Sequence, residues 1–177
     1  MRALAAMVIC GAIALWSNLA WAQYSALGED AQFGPWIGVG GLYISGDNGA
    51  GESDSEFLPT VNISGLTDHI AWQAFYGFGQ DSTVIGGNVD YVIASNFDEC
   101  FTCPDAGTWW FGAGLSMFDV TDLYASETDA TAAVDDTLFG GNLGFGYIWE
   151  EWSFNLYTHL FADQFAVQGS INYALDY

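Results

Sequence analysis

The chain has 177 residues, 51% hydrophobic and 17% aromatic, and sets a single Lys or Arg against 22 Asp and Glu for a formal charge of −21. With nothing to neutralise phosphates it is not a nucleic-acid binder, and with so many aromatics it is not a disordered chain. Its apolar content is high and its charges are gathered into a few segments, which suits one domain with a greasy exterior.

Residues 1–22 (MRALAAMVICGAIALWSNLAWA) read as a secretory signal peptide. Arg2 makes a small positive start, an apolar run follows, and Ala20-Trp21-Ala22 offers a small-residue cleavage site. The run is too short to span a bilayer as a helix, and Cys10 lacks a lipoprotein flank. Arg2 is the only Lys or Arg, so residues 23–177 carry none. Residues 23–34 are expected to form an irregular lead-in.

The next elements are read as strands by their period of two. The first covers about 35–45, its faces blurred by glycines, and an acidic Gly-rich loop follows at 46–56. The second, about 57–64, sets Val61 and Ile63 against Asn62 and Ser64, and a turn takes 65–69. The third, 70–79, puts Trp72, Ala74, Tyr76 and Phe78 on one side. After a short turn the fourth, 84–95, puts Ile85, Val89, Tyr91 and Ile93 opposite Asn88 and Asp90. Residues 96–107 break the pattern. The fifth, 108–118, shows Trp109, Phe111, Ala113, Leu115 and Met117 against Gly112, Gly114 and Ser116, and the longest loop, 119–136, follows with six acids. The sixth, 137–149, shows Phe139, Leu143, Phe145, Tyr147 and Trp149 against Asn142, Gly144 and Gly146. The seventh takes 152–162, and the eighth runs from Phe165 to Tyr177 in strict alternation.

The last three strands carry a register test. A two-residue turn at Glu150-Glu151 pairs Trp149 with Trp152, Tyr147 with Phe154 and Phe145 with Leu156. A four-residue turn then pairs Leu160 with Phe165 and sets Phe154 opposite Ile171. Directly opposed residues of an antiparallel pair share a face, so three apolar faces coincide. Trp149, Trp152 and Tyr173 gather at one end, as an interfacial aromatic girdle requires. An apolar sheet in lipid cannot leave an open edge, so a closed barrel of eight strands is expected.

These residues give the chain a specific likeness. With its signal peptide, the strands WWFGAGLSMF (109–118) and FGGNLGFGYIW (139–149), and the terminal QFAVQGSINYALDY, it resembles small eight-stranded outer-membrane β-barrels of the OmpA/OmpX type over about 35–177. The resemblance implies an all-β, antiparallel up-and-down transmembrane barrel in the bacterial outer membrane, monomeric and surrounded by outer-membrane lipid. It implies that Ile171, Tyr173, Leu175 and Tyr177 are an assembly signal read by the barrel-assembly machinery. With the amino terminus in the periplasm, the loops 46–56, 80–83, 119–136 and 161–164 face outward from the cell.

The inward set is then Gln73, Asn88, Asp90, Asn142, Asn155, His159, Gln168, Ser170, Asn172 and Asp176. Relatives often place Arg or Lys there, and this chain has none. Asp90 is expected to be hydrated in a watery lumen, or else to meet His159 or a bound cation. Cys100 and Cys103 form a C-x-x-C, read as a local disulfide in an oxidising compartment. Asp47, Glu52, Asp54, Glu56, Asp122, Asp129, Asp135 and Asp136 are weak calcium candidates, because hard cations want several oxygens, although neither loop has EF-hand spacing. Their bland reading is a solvated acidic surface. Lipid-A deacylases of this fold carry a His-x-Ser, whereas His69 precedes Ile70-Ala71 and His159 precedes Leu160-Phe161.

The expectation is therefore a barrel with a structural or surface-interacting role through acidic outward loops and an unidentified surface partner, without catalysis. The alternatives are a narrow cation-preferring pore and a lipid-modifying enzyme.

Overall fold

The computed structural model describes residues 32–47, 52–67, 69–80, 82–96, 107–124 and 133–175. The signal peptide, Cys100, Cys103, Asp129, Asp176 and Tyr177 lie outside the described residues. Eight antiparallel strands follow in chain order: β1 (Gln32–Asp47), β2 (Ser53–Thr67), β3 (Ile70–Phe78), β4 (Thr83–Ser95), β5 (Thr108–Leu123), β6 (Val134–Trp149), β7 (Trp152–Leu160) and β8 (Gln164–Ala174). Each pairs with its sequence neighbours, and β8 returns to β1 from Trp36↔Ala174 to Gly46↔Gln164, closing an up-and-down barrel.

The register expected for the last hairpins is the register found: Trp149↔Trp152, Phe145↔Leu156, Leu160↔Phe165 and Phe154↔Ile171. Trp152 and Tyr173 meet edge to face with centroids 5.0 Å apart, beside Trp149. The apolar residues of the alternation point outward. Leu115 is 75% exposed and Phe139 68%, and they belong to a belt that continues through Val39, Val61, Tyr91, Leu143, Leu156 and Ile171 around all eight strands.

The inward faces are layered. Along β4 the inward residues run Val84, Asn88, Asp90, Val92, and along β2 they run Leu58, Thr60, Asn62, Ser64, Leu66, apolar at both ends and polar between. One apolar cluster, including Leu42, Ile44, Leu58, Phe75, Val84, Phe118 and Val120, fills the end that carries the β1–β2, β3–β4, β5–β6 and β7–β8 connections, called here the upper end. A second, including Trp36, Leu66, Val92, Trp110, Ile148 and Tyr157, fills the lower end. Inward glycines make room for the large rings: a Cβ on Gly144 would sit 2.7 Å from the Tyr157 ring.

Several boundaries differ from the sequence expectation. β1 begins at Gln32, inside the expected lead-in. Strand order at the carboxyl end stops at Ala174, although the Leu175 N–H still bonds to the Pro35 carbonyl at 3.0 Å. Both acidic loops are shorter than read, because β2 starts at Ser53, β5 continues to Leu123 and β6 starts at Val134. Asp47, Asp54, Glu56, Asp119, Asp122, Asp135 and Asp136 are therefore strand residues. The cause is an inversion of polarity on β5, where Val120 points in and Asp119 and Thr121 point away from the core. The period of two persists, but an apolar inside with a polar outside is the pattern of a strand leaving the apolar belt for water.

Candidate functional site: the barrel interior and its upper mouth

The middle of the barrel is a polar band. Asp90 is 0% exposed and accepts hydrogen bonds from the side-chain amides of Asn88 (2.6 Å) and Asn142. Asn142 reaches it across β5 because the intervening residue is Gly114, where a Cβ would sit 2.7 Å from the Asp90 Cα. Two amide donors thus serve the carboxylate in a chain whose described residues hold no Lys or Arg. Gln73 donates to the Ser170 hydroxyl across the lumen, Asn62 to the side-chain Oδ1 of Asn172, and the Asn172 amide to the Ser153 backbone carbonyl at 3.2 Å. Asn155 and Gln168 are also buried.

His159 does not meet Asp90. Its Nδ1 lies 2.8 Å from the Ser116 hydroxyl, and its ring lies between aromatics, with Phe118 at 4.8 Å and Tyr157 at 5.9 Å. A Ser–His contact of this length is what a nucleophile and base need. Here, however, Phe118 and Phe161 cover it from above and Tyr157 from below, and His159 is 0% exposed. Ser116 is buried with it.

The upper mouth has its own network. The Glu56 carboxylate accepts the Tyr124 N–H at 3.0 Å and the Ser82 hydroxyl, the Tyr124 hydroxyl donates to Gln164 at 2.6 Å, and the Gln164 amide donates to the Asp47 carbonyl at 2.8 Å. Residues from β1, β2, β8, the β3–β4 turn and the end of β5 are thereby tied across one opening. Tyr124 swings inward because β5 shifts register beyond Val120 and both Asp122 and Tyr124 have positive φ, 52° and 63°. Asp tolerates that conformation, and the Asp135 carboxylate holds the Asp122 N–H at 2.8 Å. Burial first, then the nearby Asp54 and Glu56, raises the Tyr124 hydroxyl above its ordinary value, so it stays a donor.

Sequence reasoning placed Glu56 among calcium candidates, where the structure gives it two hydrogen-bond donors, and it missed Tyr124 and Gln164. Asp119 takes the Thr137 hydroxyl at 3.3 Å, and Glu52, Asp54, Asp135 and Asp136 are exposed. Among the described residues no three His, Cys, Asp or Glu side chains come together as a metal-holding group.

No protein-family model matches the chain, and no curated protein matches it. Among solved structures it is similar to Neisserial surface protein A, with a TM-score of 0.42 and 12% identity over 81% of this chain and 97% of that one. It is also similar to Ail, the attachment invasion locus protein of Yersinia pestis, with a TM-score of 0.34 and 9% identity over 81% of this chain and 97% of that one. Ail in complex with the heparin analogue sucrose octasulfate gives a TM-score of 0.36 and 7% identity over the same shares.

Proposed function

We propose that the protein is a bacterial outer-membrane barrel with a structural and surface-interacting role, exposing its acidic upper end outside the cell and performing no catalysis. The observation that carries this reading is the pairing of an outward apolar belt with a plugged interior. A soluble barrel would bury the belt, and lipid is the solvent in which it costs nothing to expose. Among the described residues an apolar cluster packs on each side of the polar band, which supports a filled interior. A cavity between the lower aromatics, lined by Trp36, Trp110, Tyr157 and Asn155, is about 10 Å³, room for about one water.

That filling favours a scaffold over the cation-preferring pore, and the enclosure of Ser116 and His159 disfavours a lipid-modifying enzyme. The experiment is refolding into detergent followed by unheated and boiled gel electrophoresis, with planar-bilayer recording of the folded material. Heat-modifiable mobility without stable conductance supports the scaffold. Solubility without detergent overturns it, and steady cation-selective steps move the assignment to the pore.

A further inference from the structure

The polar band carries buried oxygens that no donor serves. Ser64, Gln73, Asn88 and Asn142 are each at most 4% exposed. The Ser64 hydroxyl and the three side-chain amide oxygens have no hydrogen-bond partner among the described residues. Ser64, Gln73 and Asn88 stand in one row on β2, β3 and β4, since Ser64 pairs with Gln73 and Gln73 with Asn88. Asn142 reaches in from β6 to Asp90, two residues along β4 from Asn88. Eight strands leave an interior just wide enough for side chains to fill, and the Gln73–Ser170 bond spans it from β3 to β8. The amides share an orientation. Asn88 and Asn142 give N–H groups to the two oxygens of Asp90, Gln73 gives its own to Ser170, and the carbonyl ends are left over. With both oxygens receiving N–H donors, Asp90 is held as a carboxylate. Residues 23–177 have no Lys or Arg to balance it, and His159 turns to Ser116 instead.

We propose that the band binds one monovalent alkali cation, held by the oxygens of Ser64, Gln73, Asn88 and Asn142 and balanced by Asp90. Hard cations take amide and hydroxyl oxygens as ligands. An Asn that turns its N–H to an anion and its carbonyl to a cation has its dipole aligned with both, so the ion strengthens the hydrogen bonds Asp90 already accepts. The charge argument selects the ion. Water serves the oxygens but leaves a buried charge unbalanced. A divalent ion replaces one unbalanced negative charge by an unbalanced positive one. With an apolar cluster packed on each side of the band, the ion is a structural part of the fold, taken up as the barrel forms. The site is built from the interior alone and does not depend on which end of the barrel faces outward.

The test is equilibrium urea unfolding of the detergent-refolded protein, read by tryptophan fluorescence, with sodium or potassium chloride exchanged for choline chloride at constant ionic strength. Choline keeps the screening and is too large for the band. Each tenfold rise in the alkali ion above its dissociation constant is expected to raise the folded-to-unfolded ratio about tenfold, the signature of one ion bound by the folded state alone. Asp90→Asn keeps the shape of the side chain and removes the charge, and is expected to lose this dependence. Asp136→Asn, at the rim, is expected to keep it. Elemental analysis adds a reading that needs no variant to fold. Wild type refolded in sodium or potassium chloride and desalted into choline chloride is expected to retain one alkali ion per barrel. Equal stability in alkali and choline salts with no ion retained overturns the proposal and leaves water in the band. A dependence that survives Asp90→Asn also overturns it, because the ion then binds elsewhere. So does a response confined to calcium chloride and lost in Asp90→Asn, which would make the ion divalent.

Discussion

The Glu56 carboxylate on β2 accepts the backbone N–H of Tyr124, the residue just past the end of β5 and 68 residues away, at 3.0 Å. The two strands are not neighbours in the barrel, so this bond crosses the mouth rather than the sheet. Together with the Ser82 and Gln164 contacts it roofs the upper apolar cluster, of which Tyr124 is a member.

Glu56→Ala should therefore loosen the upper end without opening the barrel. Hydrogen bonds to a charged group contribute on the order of 1.5–3 kcal/mol, and the partial exposure of Glu56 puts its loss at about 1 kcal/mol. Glu56→Gln, which keeps an acceptor, should cost less. Urea unfolding of the detergent-refolded protein, followed by tryptophan fluorescence, reads both; a glutamine variant less stable than the alanine one contradicts the assignment.

Tyr124→Phe tests the same roof through pH. The hydroxyl is raised from its ordinary value of 10.0, so the folded state holds its proton longer than the unfolded state does. The stability this contributes is complete below about pH 10 and falls as pH rises beyond it. Wild type should lose stability faster than Tyr124→Phe between about pH 10 and 11, as measured by urea midpoints. Parallel curves would mean that the Tyr124 hydroxyl is not shifted by the fold.

Gly114→Ala places a methyl against the backbone of Asp90 and obstructs the path by which Asn142 reaches that carboxylate. Overpacking of this kind costs about 1–3 kcal/mol. Gly141→Ala is the control, because a Cβ there meets nothing nearer than 3.8 Å. Equal stability of the two variants would remove the close approach from the account.

Much of this was legible in the chain. Trp149, Trp152 and Tyr173 could be brought together from turn lengths alone, because a period of two and a two-residue turn leave one register. Asn88, Asp90, Asn142 and His159 could be placed inside because they oppose aromatic residues on their strands. What the pattern hid was the plug. Leu42, Leu58, Phe118 and Val120 share the parity of the polar band, and read strand by strand they look like exceptions to it. The signal was present at 118–121, where Phe118 and Val120 turn inward as Asp119 and Thr121 turn out. Tyr124 was not legible, since its position depends on two positive φ angles and a register shift that no alternation announces.

Leu42→Ala adds a direct measure of the plug. Leu42 is 0% exposed within the upper cluster, so truncation should cost about 2–5 kcal/mol, as in a soluble core. Leu115→Ala, on the outward belt at 75% exposure, should change detergent-state stability far less. The reverse order would mean that the faces have been assigned the wrong way round.

The most direct test of which face meets lipid uses two adjacent tryptophans. Trp109 is 38% exposed on the outward belt, while Trp110 is 2% exposed in the lower interior cluster. Two variants, each retaining only one of them, are refolded into bilayers of brominated phosphatidylcholine, whose acyl chains quench indole fluorescence on contact. Strong quenching of Trp109 with little quenching of Trp110 is the result an outward-facing lipid belt predicts. Strong quenching of Trp110 with Trp109 unaffected would contradict it.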